Sequence, residues 1–468
     1  MIQIRPIYLP IAIGLKFLVI SSLFLSSAQS APLCRKVVSP PPIKKVDLSK
    51  KSLKQESSIW DSAEVVFKEK FRILKQAQFS ILISTFSIKP DAWYARDEIG
   101  KTLADILIEK HRAGVEVKVF TDYWGNPLST RAEVNRMIKA GVDVRYFGAP
   151  QNFFEMLVMI YKAIREKNGT QLNHGKTMIV DGWQASTGGY NWMLGTTDNI
   201  KAWRDTDIYI AGPIAQKMSE DFYWIFDQLK KTSKGPEGHR VEFNYTKEES
   251  QYRDEFYTQA PWMDQGRTPI NDRILELIGS SEKGDEIFWQ SFSFRVQPPH
   301  LAALKKAAER GVKISILSNS RENLLKQLFF ILIPQVRKHI AEHLYQAATE
   351  SYAPLLSLAA DNPARVYEYE GQEGPMHAKA FLLIKNGEFI SGSKQKKSEE
   401  QIADSNELES EGVQKGVVGV GTYNVSPNSW DQHVETMVFS NRENLVRDLH
   451  ETYKKDLKLS REIKQWPE

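Results

Sequence analysis

Residues 104–122, ADILIEKHRAGVEVKVFTD, carry an apolar stripe at helical spacing, then Gly114, then a strand in which apolar and polar side chains alternate. Residues 301–319, LAALKKAAERGVKISILSN, spell the same helix, glycine turn and strand again. Gly114 and Gly311 stand 197 positions apart. Upstream, ILISTFSI ending at Ile88 pairs with IFWQSFSF ending at Phe294 at an offset of 206, and downstream His174-Gly175-Lys176 pairs with His377-Ala378-Lys379 at an offset of 203. Three near-equal offsets make the chain an internal duplication of one βαβ-containing unit. The expected architecture is α/β: two similar domains, each a mixed β-sheet flanked by helices, related by pseudo-two-fold symmetry, with their motifs meeting at one shared site.

The duplication divides the rest of the chain. Residues 230–266 are rich in charged residues, Gly and Thr without a sustained helical or strand period, and read as the linker between a first domain at 58–229 and a second at 267–468. Residues 394–416, KQKKSEEQIADSNELESEGVQKG, offer no apolar face and read as a solvated, flexible insertion. At the amino terminus Arg5 and Lys16, the apolar run 17–25 and Ala28-Gln29-Ser30 read as an export signal cleaved after Ser30, which puts the protein in the periplasm or against a membrane. An uncleaved anchor is the alternative, because residues 7–25 are long enough to span a bilayer. Residues 31–57, with Ser39-Pro40-Pro41-Pro42 and a lysine-rich stretch, read as an extended tether.

Composition narrows the function. At 468 residues, 41% hydrophobic and 26% charged, the chain has length for real cores and is not a disordered one. Its 62 Lys and Arg stand against 58 Asp and Glu, a net charge of +4, too balanced for indiscriminate polyanion binding. A single cysteine, Cys34, excludes an intramolecular disulfide and a cysteine-based zinc site. His339 and His343 share helical spacing but have no third ligand nearby, so they read as a solvated helix face; no metal and no cofactor are expected.

The repeated His-x-Lys carries the chemistry. Residues 177–180 look like a strand, so His174 and Lys176 point to one face, with Asp181 at its far end and Gly188-Gly189-Tyr190-Asn191 beyond. A neutral imidazole can attack phosphorus, an ammonium two residues on can neutralise charge on the nonbridging oxygens, and an asparagine adds an N–H donor there. In the second copy His377 and Lys379 are in place, but Ile384 stands where Asp181 would be. Two segments compete for its asparagine: Gly392-Ser393-Lys394-Gln395, which ends in Gln, and Gly421-Thr422-Tyr423-Asn424. Asn424 lies 47 positions after His377 against 17 from His174 to Asn191, and the solvated insertion accounts for the excess, so Asn424 is chosen.

These residues resemble the phospholipase D superfamily, whose pattern is H-x-K-x-x-x-x-D followed by G-[GS]-x-N, once in each of two similar domains. The resemblance covers the chain from about Trp60 onward, and GGYNW, WRDTDIYI, ILSNS, HAKAF and GTYNVSPNSW look most like bacterial enzymes of the cardiolipin synthase C type. It implies a phosphodiesterase or phosphatidyltransferase acting on membrane phospholipid through a phosphohistidine. His174 would be the nucleophile because its motif is complete, and His377 the acid and base. Lys176, Lys379, Asn191 and Asn424 would hold the phosphoryl oxygens. Asp205 and Glu435 would bond the far nitrogens of the imidazoles, with Asp207 competing for the role of Asp205. Asp181, Gly188, Gly189, Gly421 and Thr422 would support the site. The partner expected is a phospholipid bilayer rather than nucleic acid, and the chain is expected to be a monomer. An exported nuclease and a catalytically impaired membrane-binding homologue are the alternatives. Two apolar segments at matching places, 153–161 and 328–333, each beside basic residues, suggest a paired membrane anchor as an alternative to buried helices.

Overall fold

The computed structural model describes residues 42–48, 54–88, 97–126, 131–150, 155, 171–192, 203–230, 239–244, 252–261, 263–292, 294–327, 334–356, 364–371, 374–385 and 415–464. Residues 43–468 form one compact unit. The first half runs β1 (Ile43–Asp47), β2 (Ser57–Trp60), α1 (Ala63–Gln76), β3 (Ser80–Thr85), α2 (Leu103–Arg112), β4 (Glu116–Asp122), α3 (Arg131–Lys139), β5 (Asp143–Phe147), β6 (Thr177–Val180), β7 (Gln184–Gly188), β8 (Asp207–Ala211) and α4 (Ile214–Phe226). After β9 (Arg240–Asn244) the second half runs β10 (Asp254–Gln259), α5 (Pro269–Gly279), β11 (Glu286–Gln290), α6 (Pro298–Glu309), β12 (Lys313–Asn319), α7 (Arg321–Gln327), α8 (Pro334–Leu356), β13 (Ala364–Tyr369), β14 (Ala380–Ile384), β15 (Gly416–Gly421), α9 (Pro427–Asp431), β16 (Glu435–Ser440), α10 (Glu443–Lys458) and β17 (Ser460–Ile463).

The two sheets repeat each other. The first has the order β2-β8-β7-β6-β3-β4-β5 and the second β10-β16-β15-β14-β11-β12-β13-β17, so the second matches the first strand for strand and adds one edge strand. In both, the third-from-last shared strand pairs parallel with its neighbour through a helical crossover, whereas the His-x-Lys strand pairs antiparallel on both sides. Both faces of each sheet are covered. Leu82, Ile179 and Ile208 of the first sheet meet Phe288, Leu317 and Leu382 of the second in a central core shared with α4 and α10. The opposite faces pack outward, Ile81, Ile83 and Val119 on α1 to α3, and Ile287, Trp289 and Ile316 on α5, α6 and α8.

Double burial explains where the strands depart from the sequence reading. The alternation in β4 does not mark a solvent face, because all seven of its residues are buried. Lys118 ion-pairs Glu116 at 2.5 Å, and Glu116 also accepts from Tyr223 Oη at 2.8 Å and the Val241 N–H at 2.7 Å. Within residues 230–266, read as irregular, the structure forms β9 and β10: the first pairs parallel with β1, itself in the stretch read as a tether, and the second is an edge strand antiparallel to β16. Their charged, half-exposed side chains hid the strand period. The leader 1–30, the apolar segments 153–161 (apart from Glu155) and 328–333, and Gln395 lie outside the described residues, as does the insertion 394–416 except its last two, of which Gly416 begins β15.

Asp181 is a structural residue. It sits with φ of 51° in the β6–β7 turn, followed by Gly182, a pairing suited to left-handed backbone. Its carboxylate accepts the backbone N–H groups of Gln78, Phe79 and Ser80 at 2.7–3.2 Å, fixing the start of β3. This is the opposite end of β6 from Lys176, about 16 Å away at ~3.3 Å per residue. At the matching end of β14 Ile384 fills the central core, and Lys385 pairs with Asp285 at 2.9 Å just ahead of β11. Replacing Asp181 with Ala should therefore cost about 2 kcal/mol of stability and leave turnover at permissive temperature within about threefold. Lost turnover with an unchanged melting temperature would place Asp181 in the chemistry instead.

Candidate active site

Two short backbone ladders stitch the halves together beside the motifs. The His174 N–H donates to Val434 O at 2.9 Å and the Val434 N–H to Leu172 O at 2.8 Å. In the mirror position the His377 N–H donates to Arg204 O at 2.6 Å and the Arg204 N–H to Pro375 O at 3.1 Å. Each ladder ends one residue short of a carboxylate, and this register sets the pairing. His174 Nδ1 lies 2.9 Å from Glu435, and His377 Nδ1 lies 2.6 Å from Asp205, so each half orients the histidine of the other. Arg204 also reaches across, clasping Asp456 of α10 at 2.8 and 2.9 Å.

The carboxylates are held in different ways. Asp205 accepts the Thr206 N–H at 2.8 Å, while Glu435 accepts hydroxyls from Thr422 at 2.5 Å and Ser429 at 2.6 Å. Asp207, the rival of Asp205, turns away to Lys70 at 2.6 Å and accepts the Tyr190 N–H at 3.1 Å. The motif glycines make room for this. A Cβ on Gly189 would come within 1.9 Å of Asp205 Oδ1, one on Gly188 within 2.1 Å of Asp207 Oδ1, and one on Gly421 within 2.1 Å of Thr436 O. Where Gly189 admits the short Asp205, the matching Thr422 instead gives its hydroxyl to the longer Glu435.

Lys176 and Lys379 are buried, and each ammonium donates to the carbonyl of its own motif histidine, Lys176 at 2.7 Å. Burial drives the Lys176 pKa down to about 7, with repulsion from Lys379 adding to it. Burial takes Lys379 to about 8 against the pull of Asp205 and Glu435. Desolvation likewise lowers His174 to about 3 and His377 to about 4, so both imidazoles are neutral at pH 7. Burial works to raise Glu435, but its contacts with the His174 and His433 imidazoles outweigh it and hold the carboxylate ionised. Asn191 and Asn424, at matching places after β7 and β15, each have a buried amide oxygen that finds no hydrogen-bond partner among the described residues.

Sequence reading missed the rings that enclose the histidines. Phe86 and His433 flank His174 at 6.1 and 5.9 Å between ring centroids; Phe292 and Trp203 flank His377 at 5.6 and 5.0 Å. The signal was present, since Phe86 and Phe292 match within ILISTFSI and IFWQSFSF, and His433 and Trp203 each precede the carboxylate by two residues. His174, His433 and Glu435 have donor atoms within 4.8 Å of one another, an arrangement that could hold a metal. Glu435 is already occupied by its two hydroxyls and His174, so the donors fit a hydrogen-bonded charge relay better than an open metal site. His339 and His343 are exposed on α8.

The profile of the family described as cardiolipin synthase, PLD-like domain, matches residues 71–226 and 274–457, once on each half. The chain belongs to that family. Among its relatives, "Probable cardiolipin synthase YwiE" of Bacillus subtilis is 23% identical over 88% of this chain and 67% of its own length. "Cardiolipin synthase" of Clostridium perfringens is 24% identical over 89% and 73%. The fold is that of the phosphatidylserine synthase of Haemophilus influenzae, with a TM-score of 0.57 at 13% identity over 88% of both chains. This family member is an enzyme of the phospholipase D-type phosphatidyltransferase class.

The lysine values predict a pH profile. Their cations are present below the lowered pKa and lost as pH rises through it, so kcat/KM, which reports the free enzyme, should fall above about pH 7–8. The limb for kcat should lie higher, because a bound phosphodiester anion favours the charged lysines. A kcat/KM flat to pH 10 would contradict this electrostatic account.

Proposed function

We propose that the chain transfers a phosphatidyl group from a membrane phospholipid to an alcohol acceptor through a phosphohistidine, with water as the competing acceptor. The observation that carries this reading is the convergence of two neutral, carboxylate-held imidazoles and two buried ammonium groups in one site. With Nδ1–H donated to Glu435, His174 presents Nε2 as a lone pair for attack at phosphorus. The bound phosphodiester anion favours uptake of a proton from solvent by His377, and the imidazolium, held by Asp205, gives its Nε2 proton to the departing alkoxide and later takes one from the acceptor hydroxyl. Lys176, Lys379, Asn191 and Asn424 carry the charge and hydrogen bonds of the phosphoryl oxygens.

Completeness of the first motif no longer distinguishes His174, because Asp181 serves the fold. The carboxylates do. Two hydroxyls disperse the charge of Glu435, whereas among the described residues the oxygens of Asp205 take only the Thr206 N–H beside His377. Asp205 therefore supports an imidazolium better, which suits His377 to proton transfer and leaves His174 as nucleophile. The export signal read in residues 1–30 would bring this site to the outer face of a membrane.

The test is incubation of purified protein with labelled phosphatidylglycerol, with and without added glycerol, and separately with single-stranded DNA. The expected products without glycerol are diphosphatidylglycerol and released glycerol, a second phosphatidylglycerol being the acceptor, with phosphatidic acid where water competes; added glycerol should suppress both by returning phosphatidylglycerol. Turnover should survive EDTA and drop at least about a thousandfold in His174→Ala. DNA cleavage without lipid turnover would replace this reading with a nuclease.

A further inference from the structure

Outside the catalytic groups, a cluster around Tyr123 leaves polar atoms unanswered among the described residues. Tyr123 follows Asp122, whose carboxylate accepts the N–H of Asn173, the residue before His174, at 2.8 Å. The Tyr123 ring carries the Arg131 guanidinium over its face at 4.0 Å and meets Trp124 and Tyr146 edge-on at 5.6 and 5.8 Å. The indole N–H of Trp124 and the hydroxyl of Tyr146 are buried and, among the described residues, have no hydrogen-bond partner. Arg131 donates Nε to Asn126 O at 2.9 Å, and among the described residues no carboxylate pairs with it. Burial raises the Tyr146 pKa and the Arg131 charge opposes that rise, so hydroxyl and guanidinium lie within electrostatic reach.

The second half closes the matching place. There Glu368 stands opposite Ser318 as Tyr146 stands opposite Thr121. Glu368 is answered by Tyr345 Oη at 2.8 Å and Arg461 at 2.7 Å, and Arg321 pairs with Glu342. Duplication thus supplied the same sheet end twice, and among the described residues one copy leaves a guanidinium without a carboxylate and two buried donors without an acceptor.

We propose that this cluster is a second head-group subsite, which holds the phosphodiester and glycerol hydroxyls of a lipid alcohol accepting the phosphatidyl group; it rests on the transferase reading above. A fixed guanidinium matches a phosphodiester anion, two lone donors match hydroxyl or ester oxygens, and aromatic walls match the glycerol carbons. Asp122, next to Tyr123, braces the backbone before His174, and the ends of β4 and β5 lie at the same end of the sheet as the start of β6 that carries the motif. Plain glycerol lacks the acceptor's phosphate, and inorganic phosphate lacks the polyol.

Two variants test it, Arg131→Gln and the conservative Tyr146→Phe, assayed with one labelled phospholipid donor and either phosphatidylglycerol or glycerol as acceptor. Arg131→Gln should raise KM for phosphatidylglycerol about tenfold or more and Tyr146→Phe about fivefold. Transfer to glycerol should change less than about twofold in both, with melting temperatures unchanged. Equal losses with the two acceptors, or none with either, would overturn the subsite. Calorimetry gives a readout free of turnover: glycerol 3-phosphate should bind more tightly than inorganic phosphate and lose that advantage in Arg131→Gln. Equal binding of the two would mark a free-anion site and overturn the assignment. A wild-type chain that transfers to no acceptor, yet binds glycerol 3-phosphate through Arg131, would overturn both the transferase reading and the acceptor role, leaving a phosphate-ester site.

Discussion

Two buried hydrogen bonds that cross between the halves, His174 to Glu435 and His377 to Asp205, depend on everything around them and decide what the molecule can do. The backbone ladders at Val434 and Arg204 put each histidine one step from the opposite carboxylate, so register along the seam is also register in the site. Neither half is chemically complete. A half alone would hold an imidazole without its carboxylate and a carboxylate without its imidazole, and stranding one partner of a buried pair costs roughly 3–5 kcal/mol. The central core of both sheets with α4 and α10 keeps the seam closed.

The same seam solves an electrostatic problem. Two ammonium groups and two carboxylates are taken out of water together, so the protein's own groups in the site are close to neutral while remaining primed for an anion. Burial lowers the lysines and keeps the histidines neutral, which makes a charged phosphodiester the natural complement and a free imidazole nitrogen available. Order is imposed by small features. Gly189 lets Asp205 approach, Thr422 and Ser429 steady Glu435, and Phe86, Phe292, Trp203 and His433 wall the imidazoles.

Much of this was legible in the chain. The repeat at Gly114 and Gly311 announced two matching sheets, and the His-x-Lys spacing announced a face for chemistry, because both depend on local periodicity. The crossing of the carboxylates was not legible, since only the packing of one half on the other decides which imidazole meets Asp205. Asp181 reads from the chain as a support at the far end of its strand; which backbone it supports, the start of β3, depends on the pairing of that strand with its neighbour. The alternation of β4 tells nothing of exposure, because its Glu116–Lys118 pair is satisfied inside the protein. β9 and β10 escaped notice because edge strands lack the apolar runs of buried ones.

Nitrogen-15 NMR of the histidine side chains tests the crossed pairing most directly. In the intact protein both imidazoles should be neutral near pH 7 with the proton on Nδ1, the nitrogen facing the carboxylate. Asp205→Asn should then disturb the tautomer and shifts of His377 and leave His174 nearly untouched, and Glu435→Gln should do the reverse. A response confined to the histidine of the substituted residue's own half would contradict the shared site and with it the account of how this duplicated fold becomes one enzyme.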